Sequence, residues 1–501
     1  MKTHLETRIL KPAICLVAMA ALALAAGCAV GPDYHRPAAL GTNAVPAQFG
    51  DVSITNEWKT AEPAAQLPRG AWWNIYADAE LDRLETLSAS NNQQVAVGVA
   101  NFDQARAAVK VAQADFFPQI SANPAATRQR TSANASSGGG SRTNSSFSNS
   151  SRTFNTFNVS ADASWELDVF GRIRRLTEAA RTQFEASADD LESLKLSIQA
   201  EVAIDYFTLR SLDDQSAALN QMADAYETSL RLTQNRKKSG IADDLDVAQA
   251  ETLLNSTRAQ IPAVDLQRAQ TRHALAVLCG QAATTFALQP ASAGSSNPPA
   301  IPLSVPSEWL ESRPDISAAE RQMAAANANV GVATAAFYPR IFLNGSGGFQ
   351  SVSASDLFAW PSHVWAVGPS LQLPLFTGGA NRAQLASAKA AYNGAVATYR
   401  QTVLTAFQDV EDQLAAQHYL ANQLDEEVAA LASARRALAI ANNRYKAGVE
   451  QYLDVIVAQT SELTHEQTVI QLRGQRLATS VALIKSLGAG WKPAFTASLE
   501  R

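Results

Sequence analysis

The chain has 501 residues, 47% hydrophobic and 17% charged, a globular composition long enough for several domains. Its formal charge is −5 with no basic stripe, which argues against nucleic acid as a partner. Three cysteines exclude a disulfide framework, and no segment beyond the N-terminus carries 18 uncharged apolar residues in a row, so no spanning helix is expected after processing.

Residues 1–27 read as a secretory signal peptide. Lys2, Arg8 and Lys11 give a positive start, Pro12 to Ala26 is apolar, and small residues precede Cys28. Cys28 stands where a bacterial lipoprotein signal places its acylated cysteine, although Ala25 occupies the position where Leu is usual and Leu24 lies one further back. Acyl chains contribute roughly 0.8 kcal/mol per buried methylene, so several together hold a protein on a membrane. The plainer alternative is an ordinary signal peptide with an incidental cysteine. Ala29 is not the Asp that retains lipoproteins in the inner membrane. Without Lys2, Glu6, Arg8 and Lys11 the remaining chain carries −7. Cys279, just before Gly280, reads as a packed thiol at a helix end.

A segment over 28–79 leads into a helix expected at about 80–115. From there the chain is a duplicated unit. Asp115-Phe116-Phe117-Pro118-Gln119-Ile120 resembles Ala336-Phe337-Tyr338-Pro339-Arg340-Ile341, and Trp165 to Phe170 resembles Leu371 to Phe376. Arg236 to Gly240 resembles Arg444 to Gly448, and Leu245-Asp246-Val247 matches Leu453-Asp454-Val455. Four collinear pairs imply two repeats, over 80–279 and 313–487. A Pro-, Ser- and Ala-rich linker joins them at 280–312, and a tail follows at 488–501.

Each repeat holds two expected strands, at about 119–130 and 154–170, then 340–351 and 363–376. In the first repeat, Phe157, Val159, Ala161, Ala163, Trp165, Leu167 and Val169 face one way, with Asn158, Ser160, Asp162, Ser164, Glu166 and Asp168 opposite. That length exceeds the 9–11 residues of a tilted membrane strand. Pro124 weakens the first of these strands, and Pro369 and Pro374 the last. Phe116, Phe117, Phe170, Phe337, Tyr338 and Phe376 gather at strand ends, as aromatic girdles do. A soluble hairpin is the alternative. Four strands cannot close a membrane barrel, which starts at eight, so the barrel reading demands an oligomer.

Phe170 to Gly240 and Phe376 to Gly448 contain no proline and read as very long helices. Tyr392, Val396, Tyr399, Val403, Ala406 and Val410 form a heptad seam that resumes at Leu424, Val428, Leu431 and Leu438. A returning helix over 246–279 is expected to kink at Pro262.

These landmarks resemble the TolC-like outer-membrane factors, in the lipoprotein branch called NodT-type. The matching residues are Gly31-Pro32-Asp33-Tyr34-His35-Arg36-Pro37, Trp72-Trp73, Leu275-Ala276-Val277-Leu278-Cys279-Gly280, and above all Arg313-Pro314-Asp315-Ile316 with Ala335 to Ile341. The family more often has an aliphatic residue where Cys279 stands. The resemblance implies a mainly α fold with a membrane β-barrel: a homotrimer with a twelve-stranded barrel in outer-membrane lipid and an α-helical tunnel in the periplasm. It implies a periplasmic adaptor and an inner-membrane RND-type transporter as partners. The function implied is a passive exit duct for small toxic compounds or drugs, with protein secretion of type I and a structural coiled-coil lipoprotein as alternatives.

In that family the turns after the long helices form the periplasmic tip and meet the adaptor. Here those turns centre on Gly240 and Gly448, which also fit plain helix C-caps. Asp246 and Asp454 resemble aspartates near the family's constriction. Three copies would make a carboxylate ring, with Arg236 and Arg444 as candidate partners that hold the tip closed. Helix N-capping is the competing role for both aspartates. Val457 stands where a second aspartate is common, which argues against a double ring. No hydrolase, zinc-protease or phosphate-loop motif occurs and the six histidines are scattered, so neither catalysis nor a metal or cofactor is expected.

Overall fold

A computed structural model describes residues 29–39, 71–130, 132, 153–288, 298–299 and 313–490. The signal peptide, Cys28, the first interstrand turn, most of the linker and the tail beyond Gly490 lie outside them. The chain divides into two units, one of residues 1–36, 104–184 and 321–396, the other of 37–103, 185–320 and 397–501.

In the first unit, β1 (Gln119–Arg130), β2 (Thr153–Leu167), β3 (Arg340–Ser351) and β4 (His363–Gln372) form one antiparallel sheet in the order β1-β2-β3-β4. The two repeats thus meet edge to edge through β2 and β3, with Trp165 opposite Leu343 and Val159 opposite Phe349. Pro124 and Pro369 sit on the two outer strands, where a missing N–H leaves the central ladder intact. The strand expected to reach residue 170 stops at Leu167, because Asp168 turns to cap the next helix. Its carboxylate accepts from the Ile173 and Arg174 N–H groups at 3.0 and 2.9 Å. The strand expected to reach residue 376 stops at Gln372, two residues before Pro374.

The helices are α1 (Ala79–Asn91), α2 (Gln93–Ala114), α3 (Arg172–Lys238), α4 (Asp244–Leu278), α5 (Pro314–Ala335), α6 (Ala380–Lys446) and α7 (Tyr452–Ser486). The duplication holds element by element. Helices α2 and α5 have 22 residues each, α3 and α6 have 67, and α4 and α7 have 35. At 1.5 Å per residue, 67 residues extend about 100 Å. No described helix is long and apolar enough to cross a membrane.

Two expectations need correction here. The single helix over 80–115 is two, because Asn92 interrupts it. The Asn92 side-chain oxygen accepts from the Gln94 and Val95 N–H groups, and its amide donates to the Leu278 carbonyl at 2.8 Å. The residue that breaks the helix also fixes it to the end of α4. In α6, Tyr399, Val403, Ala406 and Val410 are buried as expected, but Val428 is exposed. The second seam instead runs Leu424, Leu431, Ala434 and Ala441, because the intervening slip rotates the apolar stripe. Helix α4 runs on through Pro262.

The main core of the second unit gathers Trp72, Tyr76, Leu81 and Leu84 against Tyr206, Leu275, Cys279, Val410, Val481 and Ile484. Two polar groups pair within it. The Tyr206 hydroxyl donates to Asp78 at 2.7 Å, and Asp78 caps α1 through the Glu80 and Leu81 N–H groups. Cys279 is buried and closes α4, as its place before Gly280 suggests.

Candidate functional site at the helix-turn tips

The turns after α3 and α6 lie together at one end of the second unit. Each long helix ends on the same C-terminal motif. The Ile241 N–H bonds to the Arg236 carbonyl at 2.9 Å and the Gly240 N–H to Lys237 at 2.9 Å. In the second repeat, Val449 bonds to Arg444 and Gly448 to Tyr445, both at 3.0 Å. Gly240 and Gly448 have φ of +72° and +73°, a region that favours glycine, so both are helix C-caps.

The capping role expected for Asp246 and Asp454 falls elsewhere. Asp243 caps α4, accepting from the Asp246 N–H at 2.9 Å, and Gln451 precedes α7 without a side-chain cap. Asp246 and Asp454 lie within the first turn of their helices, where a carboxylate faces the positive end of the helix dipole. Asp454 is exposed and Asp246 half-buried.

The arginines also find other partners within the chain. Arg444 pairs with Glu450 at 2.8 Å across its own turn, and Lys237 pairs with Asp244 across the other. The Arg236 guanidinium lies over the Tyr445 ring, 4.4 Å from its centroid, and reaches the Lys446 carbonyl. Tyr445 in turn packs on Tyr452, with 5.1 Å between centroids, and the Tyr452 hydroxyl bonds to Ser229 at 3.0 Å. Burial raises the Tyr452 phenol pKa above its usual value, against the hydrogen bonds from Ser229 and Thr233. An aromatic and cationic stack therefore ties the tip of one repeat to the tip of the other. Around it, Ile241, Leu245, Val449, Leu453 and Val457 present aliphatic side chains to the outside. The repeated Leu-Asp-Val triplet holds two of these residues, but sequence periodicity does not show that both leucines point outward.

The family model for outer membrane efflux proteins matches residues 86–281 and again 305–489, one match per repeat. The chain belongs to this family. The toluene efflux pump outer membrane protein TtgC of Pseudomonas putida is 33% identical over 465 residues, 93% of each chain. The outer membrane protein OprJ of Pseudomonas aeruginosa is 35% identical over 490 residues, 96% of this chain and 97% of that one. The solved outer-membrane channel OprN superposes with a TM-score of 0.83 at 30% identity, covering 93% of this chain and all of that one. As a member of the outer membrane efflux protein family, the chain is an outer-membrane component of an efflux pump. Its family is one of ducts rather than catalysts.

That membership gives the sheet its context. Ile120, Trp165, Leu343, Trp365, Val367 and Leu371 are exposed large apolar groups on one face. The other face is largely polar, with Phe342 and Val364 among its residues. Asn123 donates to Asp162 at 2.6 Å, Ser164 to Asn344 at 3.0 Å and Asn344 to Ser370 at 2.8 Å.

Proposed function

We propose that three copies of this chain pool their sheets into a twelve-stranded barrel in the outer membrane, continued by an α-helical tunnel through the periplasm. One observation carries the reading: a four-stranded sheet with two open edges has a greasy face and a hydrogen-bonded polar face. An open edge in hydrocarbon leaves backbone groups unsatisfied at several kcal/mol each, and four strands cannot close. Copies joined edge to edge remove those edges, turning the apolar faces to lipid and the polar faces to a wet lumen. A periplasmic adaptor and an inner-membrane RND-type transporter complete the pump, with the aliphatic tips offered to the adaptor.

The cargo we infer is small and toxic, since the relatives are named for toluene and antibiotic efflux. Protein export of type I has no such support. Cys28 is read as the lipid anchor. In support, the Val30 N–H bonds to the Phe170 carbonyl at 3.1 Å, beside a stack of Phe170 on Tyr338 at the base of the sheet. A chain leaving residue 29 there starts at the level where an interfacial aromatic girdle belongs. Asp454, repeated three times, is read as a carboxylate ring at the constriction, with Asp246, Arg236 and Arg444 around it.

Planar-bilayer recording from purified, detergent-extracted protein tests the reading. Trimers with stepwise ion conductance are expected. A monomer, or protein that stays soluble and silent once its acyl chains are removed, marks a structural lipoprotein instead.

A further inference from the structure

The strand register sorts the arginines of β1 in a way that residue spacing alone does not reveal. Ala126 is opposite Phe157, Arg128 opposite Asn155 and Arg130 opposite Thr153. Directly opposed residues share a face, so Arg128 and Arg130 lie on the apolar face, not the polar one. Both are exposed. The carboxylates of the strands, Asp162 and Glu166, lie on the other face, and the described strand residues of the apolar face include no Asp or Glu.

Their height matters as much as their face. The apolar rows run from Leu167 and Ile341 up to Phe157, ten residues or about 33 Å of strand at 3.3 Å each. Tilted at 45°, that is roughly 23 Å, close to the apolar band of membrane barrels. Near the far end lies an aromatic rim. Trp360 stacks on His363 at 5.0 Å between centroids and 3° between planes, and Phe349 packs on His363 at 5.8 Å. Arg128 comes one same-face step beyond Phe157, and Arg130 one step further. They therefore stand just above the hydrocarbon, at the end of the sheet opposite the helices, where headgroups begin.

We infer that Arg128 and Arg130 bind the phosphate groups of a phosphorylated lipid in the outer leaflet. Guanidinium groups hold phosphate bidentately, and two on one strand, about 7 Å apart, suit a headgroup bearing more than one phosphate. The apolar rows below take its acyl chains. The inference rests on the barrel reading above and adds an outer-leaflet ligand to it.

The test uses full-length protein in nanodiscs that contain equal traces of a bisphosphorylated lipid A and its dephosphorylated form. Native mass spectrometry counts the lipid retained on release. The wild type should retain the phosphorylated form roughly tenfold better. Arg128→Ala/Arg130→Ala should bring the two forms to parity, Arg128→Lys/Arg130→Lys should keep part of the preference, and Lys389→Ala should change nothing. Should the double alanine variant fail to assemble, the double lysine variant and Arg128→Gln alone carry the comparison. Equal retention of both lipids by the wild type, or an undiminished preference in the arginine variants, overturns the inference. Quenching of Trp165 and Trp365 by brominated lipid separates the two readings. Quenching without lipid preference sinks only this one, whereas absence of quenching sinks the barrel as well.

Discussion

Ala29 crosses the start of α3 so closely that a side-chain carbon on Gly171 would lie 2.7 Å from the Ala29 Cα. Gly171 also has φ of +79°. Arg175 holds the same N-terminal strap from below, bonding to Asp33 at 2.7 Å, and Asn327 donates to the Pro32 carbonyl at 3.1 Å. The strap is thus seated on glycine. Gly171→Ala should displace it and cost about 2 kcal/mol, from the left-handed backbone and the clash together. Limited proteolysis next to residue 29 and a lowered Tm would report this. If Cys28 carries the proposed lipid and the chain forms the proposed trimer, Cys28→Ala should leave the strap protected and the trimer assembled, removing only the acyl mass seen by mass spectrometry.

Glu85 is a second site of tension. It is fully buried on α1 and neither carboxylate oxygen has a hydrogen-bond partner. Burial, helped by nearby Asp82, pushes its pKa up to about 9. The folded protein therefore holds a proton that the unfolded chain releases near pH 4.5, and stability falls as pH rises from about 4.5 to about 9. At pH 7 the effect is on the order of 3 kcal/mol. Glu85→Gln should flatten the pH dependence of Tm across that window and raise Tm at pH 8. A wild type whose Tm is level from pH 5 to 8 would contradict this.

Arg313 opens the most family-specific motif of the sequence and proves to be a junction. Its guanidinium bonds to Asp315 at 2.6 Å, to Asp409 on α6 at 3.2 Å and to the Ser486 carbonyl at the end of α7 at 3.1 Å. Desolvation alone would lower its pKa, yet the two carboxylates hold it raised. Arg313→Ala leaves a part-buried carboxylate and a helix-end carbonyl without their donor, and should cost about 3 kcal/mol. Arg313→Lys can keep one partner but not the fork, and should fall between. Thermal unfolding of the three proteins at one pH measures the order.

Much of this is legible in the residues. Alternation marks which side of β2 is greasy, collinear pairs expose the duplication, and Gly240 and Gly448 mark where the long helices stop. What escapes depends on a choice between near neighbours. From sequence Asp246 is read as the cap, and only the backbone path decides that Asp243 takes that role by accepting the Asp246 N–H. Likewise Asp168 leaves its strand to cap α3, which no period-two pattern announces. Asn92 reads as an ordinary helical residue until Leu278 arrives from nearly two hundred residues away. Analogy matches Arg444 with Asp454, but Glu450 lies nearer along the turn.

The stack of Arg236, Tyr445 and Tyr452 yields the last prediction, because it separates holding the tip shut from merely ending helices. A guanidinium over an aromatic ring contributes about 0.5–2 kcal/mol, more as it is desolvated, and here the Arg236 Nε is buried. Tyr445→Leu removes the face that Arg236 lies on while keeping an apolar side chain in the seam. If the stack holds the two repeats together at the tip, Tyr445→Leu and Arg236→Ala should each raise leak conductance in planar bilayers, and the double variant should add little to either. If Asp454 forms the proposed carboxylate ring, Asp454→Ala should raise the leak independently, so that combining it with Tyr445→Leu is additive. A wild-type leak in all three single variants would reduce these residues to helix packing, and Tm alone would then register their loss.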